Sequence, residues 1–305
     1  MYYIAGIVLL FVLGLTTNSL IILLITCVRE LRNVRNTFIL VICASNNVFL
    51  IIKAPIDLFG LDFIYRSLSV IRLTHYLLVL LSAISILCVL MISFERWRAV
   101  VRPMDITSHN VKTTVVKVMS VFMLATILAL PTGFVFTTAE NEWCNTTYVI
   151  VDKDMLRKVT YYCMVTLYIC PLTLICFLYF SMATKLMCQA KRIRECSKLQ
   201  ARHRALRSKV ACVVVGLAVL FAVCWLPYHL LFIIYVVDPH FYERPFYSFL
   251  LKFRLLIFMS YIVVEPVSLF FLSSRFRNYA LKMLCLGGNC AKSTRLQNEG
   301  ALPAE

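Results

Sequence analysis

The sequence is short of charged residues. Only 15% of its 305 residues are Asp, Glu, Lys or Arg, whereas a soluble domain has about a quarter. A soluble enzyme of this length would need a charged surface around its core, so the shortage argues against that class. The sequence also lacks the low hydrophobicity of a disordered chain, because 61% of its residues are hydrophobic. The composition is that of a membrane protein with several spans.

Three further absences narrow the function. The sequence has no long polar segment that would form a soluble second domain. It has no internal repeat, although many transporters contain one, and no converging set of His, Cys and carboxylate residues, which an enzyme would require. The 13 cysteines do not suggest a disulfide framework, because most lie in apolar runs, where cysteine is a small buried hydrophobe: Cys43, Cys88, Cys170, Cys176, Cys212 and Cys224.

The sequence does contain a series of long apolar runs. Each has about 20–27 residues, which is enough for a helix to cross a hydrocarbon core about 30 Å thick. The first run lacks a basic leading segment and a cleavage site, so we expect it to be retained as a helix. The runs predict seven spans, at 3–27, 37–60, 69–94, 114–137, 159–184, 209–236 and 247–272.

The net charge of +16 predicts the orientation of these spans. In a soluble protein it would suggest a nucleic-acid partner. Here the loops 28–36, 95–117 and 185–209 and the tail after 272 hold 22 Lys and Arg against six Asp and Glu. The other loops and helix ends hold nine Lys and Arg against eight Asp and Glu. Because basic residues concentrate on the cytoplasmic side, we expect the tail to be cytoplasmic and the amino end to be extracellular. The basic loops should then lie beside membrane lipid, and no nucleic-acid partner is expected.

The tail begins with an amphipathic pattern. Phe276, Tyr279 and Met283 share one helical face, with basic residues elsewhere, which predicts a short helix on the membrane surface. Palmitoylation is expected at Cys285 and Cys290, which follow it. The predicted fold is all-α, a seven-transmembrane helix bundle over 1–272 with a short amphipathic eighth helix and cytoplasmic tail over 273–305.

Polar side chains inside the spans are costly in lipid and should face the interior. Asn18, Asn46 and Glu265 fall at the mid-depth of the first, second and seventh spans, which suggests one shared polar cluster. The alternative is that each forms a hydrogen bond to nearby backbone for packing alone. A carboxyl group at this depth must pair, protonate or bind a cation. Five spans also contain a proline that predicts a bend: Pro55, Pro131, Pro171, Pro227 and Pro266.

Basic and aromatic side chains also occur towards the predicted outer ends of the spans. Together they are suited to a mouth that receives a polar ligand. The alternative is that single basic residues at span ends extend towards the membrane surface as anchors. The candidate ligand-binding residues are Lys53, Arg72, His75, Tyr228, His229, Arg254 and Tyr261.

Four motifs lie in order on the predicted spans. They are Thr17-Asn18, Glu95-Arg96-Trp97, Pro171 with Tyr179, and Cys224-Trp225-Leu226-Pro227-Tyr228 with Phe221 one turn earlier. In this order they resemble the motifs of rhodopsin-like (class A) G protein-coupled receptors. Within that family, segments 98–106, 254–256 and 271–277 look like those of the bombesin branch, and 271–277 also resembles the endothelin receptors. The resemblance implies a plasma-membrane receptor for an extracellular peptide, such as a neuropeptide.

The resemblance also implies a mechanism. Ligand binding would repack Phe221 and Trp225, and the sixth span would swing outward about Pro227, with Pro171 and Tyr179 in the fifth span as further switch residues. A heterotrimeric G protein would then contact Glu95, Arg96, Trp97, Arg102 and Pro103, and arrestin is a further expected partner. The family's lock on Arg96 from the sixth span would fall near Arg207. Because two arginines repel each other, we expect this lock to be weak.

The sequence departs from the family pattern in several places. Most of these receptors have a disulfide from the outer end of the third span to the second extracellular loop. Cys144 supplies the loop cysteine, but Ile71 stands at the position in the third span. A glycosylation sequon follows at Asn145, and Leu269 replaces the family's tyrosine after the seventh-span proline. Ile71 and Leu269 keep an alternative open, a receptor-like protein with little or no ligand-driven signalling.

A second departure concerns the mid-depth cluster. The family's second-span aspartate is Asn46 here, and its seventh-span asparagine is Glu265. The carboxylate and the amide have therefore exchanged helices. We expect Glu265 to carry the mid-depth charge, paired with Asn46 and with a sodium ion. No other cofactor and no further metal site are implied.

Overall fold

The structure is a computed structural model that describes residues 2–32, 34–59, 67–102, 111–141, 146–192 and 198–272. Within this part of the chain, seven continuous helical stretches are long and apolar enough to cross a membrane. The helices are α1 (Tyr2–Cys27), α2 (Val34–Phe59), α3 (Leu68–Val101), α4 (Val111–Ala129), α5 (Lys153–Cys163), α6 (Cys170–Arg192), α7 (Lys198–Val237) and α8 (Pro245–Leu272).

The seven predicted spans are confirmed. The fifth consists of α5, a π-helical segment (Met164–Ile169) and α6, and α7 and α8 are the sixth and seventh. Several helices extend beyond their apolar runs: α3 continues to Val101, α6 continues to Arg192 and α7 already begins at Lys198. Helix geometry continues beyond the apolar core, whereas hydropathy detects only the part inside it. The chain is a multi-pass membrane protein.

Two of the prolines lie next to or within irregular helical segments instead of bending a regular α-helix. Pro171 follows the π-helical segment, in which the backbone N–H of Cys170 donates to the carbonyl of Val165, five residues back. This wider turn makes room for a ring that clashes with the preceding turn of a regular helix. Pro131 lies inside the fourth span, Lys112–Phe134, as predicted, but it follows α4, which ends at Ala129, and belongs to a 3-10 segment, Leu130–Phe134.

A β-hairpin that the sequence analysis did not predict follows this segment. Strands β1 (Phe136–Asn141) and β2 (Thr146–Val151) are antiparallel, with Phe136 opposite Val151. Thr, Tyr and Val residues favour strands, but the predicted fourth span was extended to 137 over the start of β1. The hairpin is closed where the N–H of Asp152 donates to the Val135 carbonyl over 2.9 Å, and the Asp152 side chain caps α5.

The bundle packs around α3. It contacts α2, α4 and α6, while α1 packs against α2 and α8, and α7 against α8. At Gly14 there is no room for a side chain between α1 and α2, because a Cβ atom there would lie 2.6 Å from Leu50 Cδ1. We call the end of the bundle with the hairpin the hairpin end, and the opposite end, where α3 carries Arg96, the Arg96 end.

Candidate functional site

A polar cluster lies in the core of the bundle and is centred on Glu265, whose exposure is 1%. Both carboxylate oxygens accept hydrogen bonds. The Asn46 amide Nδ2 donates to Oε2 over 3.3 Å, and the Tyr261 hydroxyl donates to Oε1 over 3.0 Å. Glu265 and Tyr261 are one turn apart on α8, so the same helix supplies the carboxylate and one of its donors.

The Asn46 amide connects this carboxylate to two other helices. Its Nδ2 also lies 3.4 Å from Asn18 Oδ1, and its Oδ1 accepts a hydrogen bond from Ser85 Oγ over 3.1 Å. Asn18 Nδ2 donates to the Gly14 carbonyl over 2.8 Å and to the Ile262 carbonyl over 3.4 Å. The structure thus brings together the three mid-depth residues predicted from the sequence, and α1, α2, α3 and α8 meet there.

The carboxylate of Glu265 has polar partners but no cation beside it in the described residues. None of the ion pairs found among these residues includes it. A small cavity of about 10 Å³ adjoins Asn46, Ser85, Trp225 and Tyr261, which is close to the minimum space for one water molecule. The described part of the chain has no group of three His, Cys, Asp or Glu residues suited to a transition metal.

An aromatic cluster lies directly beside the polar cluster. The Trp225 ring centroid is 5.6 Å from that of Phe221, 4.9 Å from that of Phe258 and 6.0 Å from that of Tyr261. The His229 ring is stacked on the Trp225 ring at 5.9 Å. Because Tyr261 touches Trp225 and also donates to Glu265, it joins the predicted switch to the polar cluster. Tyr261 was grouped with the mouth residues, but its hydroxyl is bonded inside the core.

Towards the hairpin end, α2, α7 and α8 contribute a second set of polar side chains. Lys53 and Asp57 form an ion pair one turn apart on α2. The Arg254 guanidinium lies over two aromatic rings, 5.0 Å from the centroid of Tyr228 and 4.7 Å from that of Phe232. Three buried polar atoms in this set lack a hydrogen-bond partner among the described residues: Asp57 Oδ2, His229 Nε2 and Arg254 Nε.

Arg72 and His75 are placed differently from the other predicted mouth residues. Arg72 Nε donates to the Phe136 carbonyl over 2.9 Å. His75 Nδ1 lies 3.1 Å from the Thr132 carbonyl, and since a carbonyl only accepts, this nitrogen carries the proton. Both side chains are thus bonded to the backbone around the hairpin. The sequence placed all seven candidates in one mouth, whereas the structure separates them into different groups.

At the Arg96 end, α3 is tied to α4 and α6. Glu95 forms an ion pair with Lys117 of α4, a partner that the motif does not indicate. Ser93 and Tyr179 are hydrogen-bonded at 2.6 Å. Trp97 Nε1 donates to Ser181 Oγ over 3.0 Å, and the Arg102 guanidinium lies 5.8 Å from the Trp97 ring centroid.

Several predicted residues lie outside the described part of the chain. These are Pro103, Asn145, Cys285, Cys290 and the segment 273–305 with its predicted helix. The side chains of Arg207 and Leu269 are also outside the description, although the backbone of both belongs to helices.

Sequence reasoning missed Ser85, Ser93, Lys117 and the link between Tyr261 and Glu265. The link has a sequence signal, because a donor four residues before a carboxylate shares its helical face. The serines and Lys117 have none, since their partners are on other helices.

Comparison with known proteins places the chain among membrane receptors. Residues 17–268 match the family described as "7 transmembrane receptor (rhodopsin family)". A bombesin receptor of Bombina orientalis is 26% identical over 295 residues, covering 89% of this chain and 73% of that receptor. The neuropeptide CCHamide-1 receptor of Drosophila melanogaster is 24% identical, covering 95% of this chain and 62% of that receptor. The allatostatin-A receptor of Bombyx mori is 24% identical, covering 87% and 74%.

Proposed function

Because the chain belongs to the rhodopsin family of seven-transmembrane receptors, we propose that it binds an extracellular peptide and activates a heterotrimeric G protein. The family consists of receptors, not enzymes. The similar proteins are named as receptors for bombesin, the neuropeptide CCHamide-1 and allatostatin-A. These names support a peptide, and in particular a neuropeptide, as the ligand class.

The observation that carries the proposal is the incomplete hydrogen bonding towards the hairpin end. Asp57 Oδ2, His229 Nε2 and Arg254 Nε are buried without a protein partner among the described residues. A buried polar group without a partner costs about 1–3 kcal/mol. A peptide ligand has backbone N–H and carbonyl groups as well as charged groups, and these supply the missing partners. We propose that this set, with Lys53 and Tyr228, binds the ligand.

The same proposal assigns the two ends of the bundle to the two sides of the plasma membrane. Basic residues concentrate in the loops at the Arg96 end, and the cytoplasmic side of membrane proteins is enriched in them. The hairpin end and the amino end of the chain are then extracellular. The Arg96 end faces the cytoplasm, where the G protein, arrestin and anionic lipid are available.

The signal would pass from the ligand to Trp225 through His229. The two rings are stacked at 5.9 Å, so a ligand that binds His229 Nε2 displaces the Trp225 ring with it. Trp225 touches Phe221 and Tyr261, and a closely packed core of this kind has few intermediate arrangements. The repacking moves α7, which bends at Pro227 because proline lacks the N–H of a regular helix.

At the Arg96 end, movement of α7 exposes the surface for the G protein. Ser93, Glu95 and Trp97 hold α3 to its neighbours α6 and α4. These contacts keep α3 fixed while α7 moves. We propose that Arg96 binds the G protein from this fixed helix, and that Glu95, Trp97, Arg102 and Pro103 also contact the G protein.

We further propose that a sodium ion binds beside Glu265. The oxygens of Glu265, Asn46 and Ser85 are hard ligands of the type that such cations prefer, and a small cavity adjoins Asn46 and Ser85. In Glu265→Gln the carboxylate charge is lost, so sodium should no longer change agonist affinity. A sodium response equal to that of the wild type would contradict this site.

One experiment tests the signalling proposal. The full chain is expressed at the cell surface, and second messengers are measured with and without a panel of neuropeptides. The control is Arg96→Ala at matched surface expression, because it removes the proposed G protein contact and leaves the ligand site intact. We expect a peptide-evoked signal in the wild type only. A wild type that reaches the surface but never exceeds the control, in basal or evoked signal, would overturn the proposal.

A further inference from the structure

The hairpin packs against the first turns of α3 through an apolar cluster. Ile71 is 4% exposed and packs with Val135, Phe136 and Val159, which are 1%, 7% and 5% exposed. Val135 and Phe136 form the start of the hairpin, and Val159 belongs to α5. Ile71 thus joins α3 to both elements that follow the fourth span.

Two polar contacts flank this cluster. Arg72 Nε donates to the Phe136 carbonyl over 2.9 Å. His75, one turn further along α3, donates from Nδ1 to the Thr132 carbonyl over 3.1 Å, and its ring meets the Phe136 ring edge-on at 5.5 Å. The three α3 side chains therefore hold the hairpin at one end by an apolar contact, a guanidinium donor and an imidazole donor.

These contacts are formed where the chain has no cysteine to crosslink. The sequence contains none between Cys43 and Cys88, so a disulfide from the start of α3 cannot form. Most receptors of the family have that disulfide to hold the same loop. We propose that Arg72 is a positioning residue for the hairpin, and that with Ile71 and His75 it takes over the attachment that the disulfide provides in those receptors.

This assignment has two physical consequences. All three contacts are non-covalent, so a reductant should leave the hairpin in place. The Arg72 hydrogen bond involves a charged donor on a buried carbonyl, which makes it the strongest single polar contact in the set. Loss of this donor should therefore loosen the hairpin locally while the helices of the bundle remain folded.

Hydrogen–deuterium exchange of the full chain in detergent tests both consequences without a ligand or a G protein. Arg72→Met removes the donor and retains a long side chain. The matched control is Arg157→Met, which removes an exposed arginine on α5. We expect exchange in β1 and β2 to be about five- to tenfold faster in R72M, from the loss of one hydrogen bond. R157M should exchange like the wild type, and neither variant should change exchange in α1, α2 or α8.

Two further arms keep the test decisive. The wild type is measured with and without a phosphine reductant, and this arm requires no variant to fold. Faster hairpin exchange in reductant would overturn the proposal. Arg72→Lys retains a donor on a long side chain and should exchange like the wild type. The role of Arg72 would be contradicted if R72K exchanged as fast as R72M. It would also be contradicted if exchange in R72M were unchanged, or faster across the whole chain. Because the readout involves neither ligand nor signalling, it can fail while the proposed receptor function holds.

Discussion

The polar cluster in the core and the polar set towards the hairpin end are both buried, but they differ in how their hydrogen bonds are completed. In the core, both oxygens of Glu265 accept from neighbouring side chains. In the other set, Asp57 Oδ2, His229 Nε2 and Arg254 Nε have no partner within the part of the chain that is described. Since a missing partner is costly, the comparison separates residues whose polar atoms stabilise the bundle from the residues that we propose to bind the ligand.

The largest expected effect is on the core. Asn46 donates towards Glu265 and Asn18 and accepts from Ser85. Asn46→Leu leaves a buried carboxylate short of a donor and should lower the free energy of unfolding by about 3 kcal/mol. The measurement is denaturation of the purified receptor in detergent.

Asn47→Leu is the matched control for this variant. Asn47 is only partly buried, and among the described residues its side chain donates to Ser19 Oγ over 3.0 Å, so the loss of stability should stay below about 1 kcal/mol. Equal destabilisation by the two variants would show that the polar cluster contributes no more to the free energy of unfolding than the single hydrogen bond of Asn47.

The next effect is expected at the hairpin end and concerns affinity. Arg254→Met removes the guanidinium, whose Nε has no hydrogen-bond partner among the described residues, so the affinity for an activating peptide should fall about tenfold or more. The loss of its two ring contacts should lower the stability by less than this. The control is Lys252→Met, because Lys252 is exposed on the same helix. A large loss of stability without a loss of affinity would place Arg254 with the stabilising residues and break the comparison.

A smaller effect should separate the two contacts of Tyr261. Tyr261→Phe keeps the ring beside Trp225 and removes the hydroxyl that donates to Glu265, which should cost about 1 kcal/mol of stability. Tyr161→Phe, at an exposed position, is the control. If thermal unfolding of the two variants is indistinguishable, the Tyr261 hydroxyl does not stabilise the carboxylate.

The smallest stability effect is expected at the Arg96 end. Lys117 and Glu95 are 22% and 13% exposed, so solvent weakens their attraction, and Lys117→Met should cost less than about 1 kcal/mol. Because Glu95 loses its contact with α4 in this variant, basal signalling should change more than stability. Lys185→Met, an exposed residue of α6, is the control. Basal second-messenger levels equal in the two variants would contradict a role for the pair in signalling.

Much of the site could be predicted because it depends on depth in the membrane. Asn18, Asn46 and Glu265 are at similar depth on three spans, and polar groups there must avoid lipid. The mouth residues were less predictable. Arg72 and Arg254 are both arginines near a span end, but one is bonded to a backbone carbonyl and the other lies over two aromatic rings. Nothing in the local sequence distinguishes them, because the partners come from other elements.

By itself, the sequence determined the number of spans and the burial of Glu265. Both follow from the cost of placing polar groups in hydrocarbon, which depends on composition along the chain. The tertiary structure decided which polar atoms are satisfied, which helix supplies each partner and that a hairpin packs on α3. A hydrogen bond requires a donor and an acceptor within about 3.5 Å and in line, and only the packing of distant segments sets that distance and direction.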